Sequence, residues 1–278
     1  MSAGWVRVGV ASCALLAAAG CARFAKQGQK PGEVATPAAL PQGDLRTETP
    51  ESIVLAEDED FVVRVVAGEV TCSGALIDDD KVLTAHHCMA KRSRTGEMLS
   101  KDVTAADVMV ELGGDHFAWG EVGVRAVITP TCGYAAGEGD IAILVLERAL
   151  VGVATRAPQL DRPPTAGLAI EPVGFGRCVH TSNVIRRATR QGGKIDHVSH
   201  SRFQTMASIC PGDSGGPVLD AKSGAIMGVI SASVMDASEN TLGRSEFTRL
   251  DAWRQLFSHA QMVSEGMSLS ELPPIECE

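Results

Sequence analysis

The run Cys210-Pro211-Gly212-Asp213-Ser214-Gly215-Gly216-Pro217 sets a serine hydroxyl inside a glycine-dense turn that opens directly onto the apolar pair Val218-Leu219. Residues without Cβ let backbone N–H groups converge on one point and let another chain approach closely. The N–H groups of Gly212 and Ser214 are the donors such a turn would offer to a developing oxyanion. A serine is a weak nucleophile unaided, so a chemical use of the turn demands a base from elsewhere in the chain. The same composition also suits an ordinary surface turn, and the remaining segments decide between the two.

Two segments do so. Cys72-Ser73-Gly74-Ala75-Leu76-Ile77, followed by Val82-Leu83-Thr84-Ala85-His86-His87-Cys88, reads as two short strands carrying a histidine pair, bracketed by cysteines that a hairpin could bring together. Gly139-Asp140-Ile141-Ala142-Ile143-Leu144-Val145-Leu146 holds an aspartate at the mouth of a strongly apolar strand. Taken singly, a histidine near a cysteine is usually structural and an aspartate before a strand is usually a cap. The order histidine, aspartate, serine, carried by these three signatures, resembles the chymotrypsin-like serine peptidase family over roughly residues 53–262.

That resemblance implies an all-β fold of two antiparallel six-stranded β-barrels with a C-terminal α-helix. Its histidine directly precedes the cysteine and is therefore His87; His86 stands where alanine is usual, and is expected to be a bystander. Asp140 matches the family's aspartate and Ser214 its nucleophile. The implied chemistry is acyl transfer, with His87 as general base and then general acid, Asp140 holding the imidazole tautomer, and Gly212 and Ser214 forming the oxyanion hole. The family also bridges the histidine loop, which implies Cys72 with Cys88. In the family a freed Ile-Val-Gly-Gly amine pairs with the aspartate beside the nucleophile, here Asp213. This chain has Ile53-Val54-Leu55-Ala56 after Ser52, so either Ile53 is freed for that role or another cation or backbone donors satisfy Asp213.

Hydrophobic periodicity supplies the strands. Phe61–Val66, Val108–Leu112, Glu121–Thr129 and Ile141–Leu146 suit the first barrel, and Ile170–Phe175, Pro217–Leu219, Ala225–Ser233 and Phe247–Leu250 the second. Thr155–Gly167, with its prolines, is the crossover. Asp251–Met262 reads as a closing helix with Asp251 as cap and Trp253, Leu256, Phe257 and Ala260 as the apolar face.

The beginning of the chain reads as an export signal. Met1–Arg7 carries one positive charge, and the apolar run Val8–Gly20 is too short to span a bilayer, so residues 1–20 are a signal peptide. Leu16-Ala17-Ala18-Ala19-Gly20-Cys21 resembles a bacterial lipoprotein cleavage box, with Cys21 lipidated; plain secretion is the alternative. Residues 21–52, rich in Pro, Gly, Ala and polar side chains, form a tether or pro-segment, 53–262 the peptidase-like domain, and 263–278 a C-terminal extension. Of eight cysteines, removing Cys13 and Cys21 leaves six, an even number suited to three disulfides in an oxidising space. Cys210 lacks its usual downstream partner, so the other pairings stay open, with Cys178–Cys210 and Cys132–Cys277 favoured.

A formal net charge of −9 with no long basic stripe excludes nucleic acid as a partner, and the clusters Lys91, Arg92, Arg94 and Arg186, Arg187, Arg190 read as solvated loop faces. The expected partner is a protein or peptide substrate, with membrane contact only through the lipid on Cys21 and a monomeric state. No cofactor motif and no C-x-x-C metal spacing occurs; His197 and His200 read as loop residues. By resemblance the specificity pocket has Ser208 at its base beside Ile209, with walls at Ser231, Ser233 and Ser245. Such a neutral, narrowed pocket favours small or medium uncharged side chains. A glutamate-specific relative would carry a histidine before Ser231, where this chain has Ile230, and Glu246 is read as a surface charge near the rim. The rival readings are a non-catalytic binding protein on the same fold and an esterase, whose serine ordinarily lies in Gly-x-Ser-x-Gly between strand and helix.

Overall fold

Runs of buried residues rich in valine and isoleucine, punctuated by glycine and aspartate turns, drive this chain into short antiparallel strands. In a computed structural model the described residues are 57–114, 118–134, 138–178, 185–235 and 241–277. The expected signal peptide, Cys21 and the segment through Ile53 lie outside them. The first half contains β1 (Val62–Ala67), β2 (Val70–Asp78), β3 (Lys81–Thr84), β4 (Ala90–Arg92), β5 (Met98–Asp102), β6 (Val108–Leu112), β7 (Gly120–Ile128) and β8 (Ala142–Leu146). Six of these close a barrel in the order β1-β2-β3-β8-β7-β6, while β4 and β5 form a separate hairpin. The barrel centre holds Val65, Leu76, Val82, Val110 and Leu144, all with no exposed surface. Each buried aliphatic side chain of this size stabilises by about 1.5–3 kcal/mol. All five residues of β8 are buried, since the strand lies between the barrel interior and the C-terminal helix.

The second half contains β9 (Ile170–Gly174), β10 (Ala188–Thr189), β11 (His197–Val198), β12 (Arg202–Thr205), β13 (Pro217–Asp220), β14 (Ile226–Met235) and β15 (Thr241–Arg249). The expected second six-stranded barrel is instead a seven-stranded sheet, β10-β9-β13-β14-β15-β12-β11, among the described residues. Its outer strands β10 and β11 are two residues long and flank Gln191-Gly192-Gly193-Lys194, so they do not ladder with each other. Strand β15 begins six residues before the expected Phe247, because its half-exposed start, Thr-Leu-Gly-Arg-Ser-Glu, lacks an apolar signal. Phe203 and Phe247 stack at 5.2 Å within a second apolar cluster that includes Ile195, Ile209 and Ile230.

The closing helix differs in detail from expectation. A 3-10 turn, Asp251–Trp253, leads into α1 (Arg254–Ser264), whose Leu256, Ala260 and Val263 are buried. Asp251 does not cap it, because the Arg249 guanidinium takes both carboxylate oxygens at 3.1 and 2.7 Å. The far end of α1 is held by Arg125 of β7, which donates to the carbonyls of Val263 (2.9 Å) and Ser264 (3.0 Å) and, through Nε, to Leu146 (3.1 Å). A cation at a helix C-terminus satisfies carbonyls that have no intrahelical partner and complements the helix dipole. Beyond α1 the chain returns to the first barrel, where Thr131 N–H bonds the Ile275 carbonyl at 3.0 Å and Cys132 is bridged to Cys277.

Arg125→Met removes three charge-assisted hydrogen bonds, two from the partly exposed end of α1 and one from Leu146 of β8. The expected cost is about 1–3 kcal/mol, read as a lowered thermal midpoint with the β-sheet circular dichroism unchanged.

Candidate active site

The histidine loop comes first. After β3 the chain turns through a 3-10 segment, His86–Met89, and a disulfide from Cys88 to Cys72 on β2 clamps it to the barrel. The two histidines face opposite ways. His87 Nδ1 lies 2.9 Å from Asp140 Oδ2, and the His87 backbone N–H donates to Asp140 Oδ1 at 2.9 Å. His86, expected to be a bystander, is buried at 4% exposure, bonds Asp102 through Nε2 at 2.9 Å, and meets the Tyr134 ring edge-on at 5.4 Å.

Asp140, at the entrance to β8, is 3% exposed. Its Oδ2 also accepts the Ser231 hydroxyl at 2.5 Å, and its backbone carbonyl accepts Thr248 Oγ1 at 2.9 Å. Burial works to raise its pKa, but the charge and hydrogen bonds of His87 and the Ser231 hydroxyl outweigh it and hold the carboxyl below the ordinary aspartate value. The group is an anion oriented to receive an Nδ1–H and to stabilise an imidazolium.

The serine turn belongs to the second half of the chain and is seated directly on the first. Ser73 N–H, next to Cys72, donates to the Ser214 carbonyl at 2.8 Å. At Gly215, φ is +82° and a Cβ would lie 2.2 Å from Thr84 Oγ1 and 3.0 Å from Ala85 N, so only glycine permits this approach. The turn thus abuts the residues that lead into His86 and His87. Ser214 Oγ makes no hydrogen bond among the described residues, and His87 Nε2 faces Cys88 Sγ at 3.8 Å. The structure brings the serine turn to the histidine loop without closing an Oγ–Nε2 bond. Neither Gly212 N–H nor Ser214 N–H donates within the described residues, whereas Asp213, Gly215 and Gly216 N–H are all engaged by backbone carbonyls.

Asp213 has no exposed surface and four donors. Oδ1 accepts Gly176 N–H (2.8 Å) and Arg190 NH2 (2.9 Å), and Oδ2 accepts Arg190 Nε (2.8 Å) and Cys210 N–H (2.9 Å). A Cβ on Gly176 would fall 2.5 Å from the Asp213 Cγ, which explains the glycine there. Arg190 was expected on a solvated loop face; its side chain is 9% exposed. Arg187, from the same cluster, pairs with Asp60 at 2.7 Å, its side chain 10% exposed. In both cases the carboxylate comes from a distant segment, so sequence proximity could not reveal it. Ile53, the other expected partner of Asp213, lies outside the described residues. Cys178 and Cys210 are joined, tethering the turn from its other end.

The expected pocket residues divide. Ser208 is exposed, whereas Ile209 is buried in the apolar cluster of the second sheet. Ser231 turns its hydroxyl to Asp140 rather than into a pocket. Ser233 and Ser245 face each other at 3.1 Å across β14 and β15, and Ser245 also lies 3.0 Å from the Ala207 carbonyl. Glu246 is held by Arg202 (2.8 Å) and Gln204 (2.6 Å). Clusters of metal-ligand type occur at Cys72-His87-Cys88, Cys178-Cys210-Asp213 and Asp78-Asp79-Asp80. The first two each contain a disulfide, whose sulfurs are not free to ligate, and Lys81 pairs with Asp78 and Asp80 in the third.

A family model described as Trypsin matches residues 55–253. Among curated proteins, the chain is 27% identical over 212 residues to the peroxisomal leader peptide-processing protease of Mus musculus, covering 74% of this chain and 32% of that protein. It thus spans about a third of the length of that relative. It is also 27% identical over 202 residues to trypsin iota of Drosophila melanogaster, covering 62% of this chain and 72% of that one. Among solved structures, a Glu endopeptidase in complex with MPD superposes with a TM-score of 0.58 at 17% identity, over 73% of this chain and 91% of the other.

Three substitutions probe the site electrostatics. Arg190→Met leaves Asp213 as an uncompensated buried charge and is expected to cost about 3–5 kcal/mol in denaturant unfolding; adding Asp213→Asn recovers part of that loss because the buried charge is gone. Ser231→Ala removes one of the donors that lower the Asp140 pKa. A carboxylate with a lowered native pKa stabilises above its unfolded value and loses that contribution as pH falls through the native one. The acid unfolding midpoint of Ser231→Ala therefore moves to higher pH, as followed by circular dichroism.

Proposed function

The chain belongs to the trypsin family, and on that premise we propose that it is a serine endopeptidase in which Ser214 is the nucleophile, His87 the general base and acid, and Asp140 the orienting anion. The observation that carries this reading is the buried Asp140, which receives both the backbone N–H and the Nδ1 of His87 and so orients the imidazole. That arrangement fixes the tautomer with Nε2 as the acceptor for the Ser214 proton. In ligand-free sites the nucleophile–base bond is commonly long and tightens when substrate arrives. The N–H groups of Gly212 and Ser214, which donate to none of the described residues, supply the oxyanion donors, each worth roughly 10²–10³ in kcat where such donors have been removed from related chemistry.

In acylation, Ser214 Oγ attacks the scissile carbonyl as its proton passes to His87 Nε2. The tetrahedral oxyanion collapses when His87 returns that proton to the leaving amine. Water then repeats the sequence on the acyl ester. The exposed Ser208 and the hydroxyl pair Ser233–Ser245 support a neutral, narrow pocket, and with Ile230 before Ser231 there is no histidine to receive a substrate carboxylate. We assign cleavage after small or medium uncharged residues. The Glu endopeptidase likeness bears on the fold alone.

The four donors on Asp213 favour the second of the two activation readings, in which Arg190 orders the turn and no freed Ile53 amine is needed. Three disulfides fit an oxidising compartment, and the apolar run before Cys21 supports export with a lipid anchor. We further take the protein to be a monomer whose partner is its peptide substrate.

A fluorophosphonate probe is expected to label the wild type and not Ser214→Ala; a folded but unlabelled wild type would favour the binding-protein reading. Sequencing the labelled fraction is expected to find residues upstream of Ile53, and a panel of peptide anilides to show Ala and Val cleaved ahead of Arg and Lys. Labelled protein beginning only at Ile53 would restore cleavage-dependent ordering.

A further inference from the structure

The serine turn has a second anchor besides Asp213, and it is a side chain. Ser73 Oγ donates to the Gly212 carbonyl at 2.8 Å and accepts the Phe175 N–H at 2.8 Å, while its backbone N–H holds the Ser214 carbonyl at 2.8 Å. Ser73 has no exposed surface, and its own carbonyl accepts Thr84 Oγ1 at 2.8 Å. One hydroxyl therefore joins three segments: β2 beside Cys72, the chain leaving β9 at Phe175, and the turn itself.

Resting on the serine-endopeptidase reading, we propose that Ser73 is a positioning residue for the oxyanion hole, its hydroxyl fixing the Gly212 carbonyl and with it the backbone dihedrals of Gly212, so that the N–H of the adjoining Pro211–Gly212 peptide points at the reacting oxygen. Gly212 has φ of +98°, a conformation that carries no intrinsic barrier to alternatives, so its orientation must be imposed by neighbours. Asp213 holds the turn through its side chain on one side; Ser73 holds the peptide on the other. Replacing Ser73 by alanine removes at once the hydroxyl that serves the Gly212 carbonyl and the buried Phe175 N–H. The carbonyl regains a partner when the Gly212 dihedrals change, a rotation that also turns the adjoining Pro211–Gly212 peptide and carries the Gly212 N–H off the oxyanion position. The nucleophile, the base and the substrate pocket are untouched by that rotation. The loss should therefore fall on the transition state and not on ground-state binding.

The test compares wild type with Ser73→Ala on an alanine-terminated peptide p-nitroanilide, with rates normalised to active sites titrated by fluorophosphonate, alongside a peptide aldehyde and the corresponding free acid as inhibitors. The aldehyde forms the tetrahedral oxyanion and the acid does not. Expected for Ser73→Ala is a fall in kcat of roughly ten- to a hundredfold, KM within about twofold, aldehyde affinity weakened by the same factor as kcat/KM, and free-acid affinity unchanged. A kcat within twofold of wild type overturns the proposal. So does an equal weakening of aldehyde and acid, which marks a merely structural role. A wild type that neither hydrolyses the anilide nor takes the label removes the endopeptidase reading itself, which is distinct from either result. If Ser73→Ala melts below the assay temperature, the same comparison at 10 °C on the titrated fraction decides between these outcomes.

Discussion

A carboxylate with no access to water governs the geometry of the candidate site. Asp213 is buried between the two halves of the chain, and an isolated ion in such a place would be untenable. Its two oxygens are matched by four donors, two from one guanidinium and two from the backbone at Gly176 and Cys210. Because Arg190 is planar and delivers Nε and NH2 together, it fixes the carboxylate in angle as well as in place. The residues on either side of Asp213 are Gly212, the proposed oxyanion donor, and Ser214, the proposed nucleophile. Their backbone directions are inherited from that ion pair.

The site is also divided between segments in a way that separates its functions. The proposed base and orienting anion come from the first barrel, where β3 and β8 pair directly and carry His87 and Asp140 off neighbouring strand ends. The proposed nucleophile comes from the loop before β13, in the second sheet. What joins them is main chain, Ser73 N–H to the Ser214 carbonyl, together with side chains: the Ser231 and Thr248 hydroxyls on Asp140, and the Ser73 hydroxyl between Gly212 and Phe175. Small shifts at this seam therefore translate into misaligned reacting groups.

How legible this was from residue order depends on the range of each interaction. The serine turn, the histidine loop and the aspartate strand are each written in fewer than a dozen consecutive residues, and so is the apolar pattern of β1, β6 and β8. Arg190 and Arg187 carried no such mark, for a guanidinium in a loop looks solvated until the carboxylate it meets is known. Ser73 was visible only as a small residue after a cysteine, and its three connections come from three separate segments. Ser231 was read as pocket wall because strand alternation predicts which face a side chain takes but not which hydrogen bond it makes. The first half of β15 escaped because a half-exposed polar strand and a polar loop share a composition.

The bridge between Cys132 and Cys277 encloses 145 residues of sequence separation, a span that includes Asp140, Arg190 and Ser214. During synthesis it cannot form until the chain through Cys277 has emerged, whereas Cys72–Cys88 can close as soon as the histidine loop appears. Oxidation is therefore ordered along the chain. The last staple forms only when the whole second sheet is present to bring Cys277 back to the first barrel, so a chain interrupted before Cys277 keeps Cys132 as a thiol. That thiol would be a chemical label of incomplete molecules.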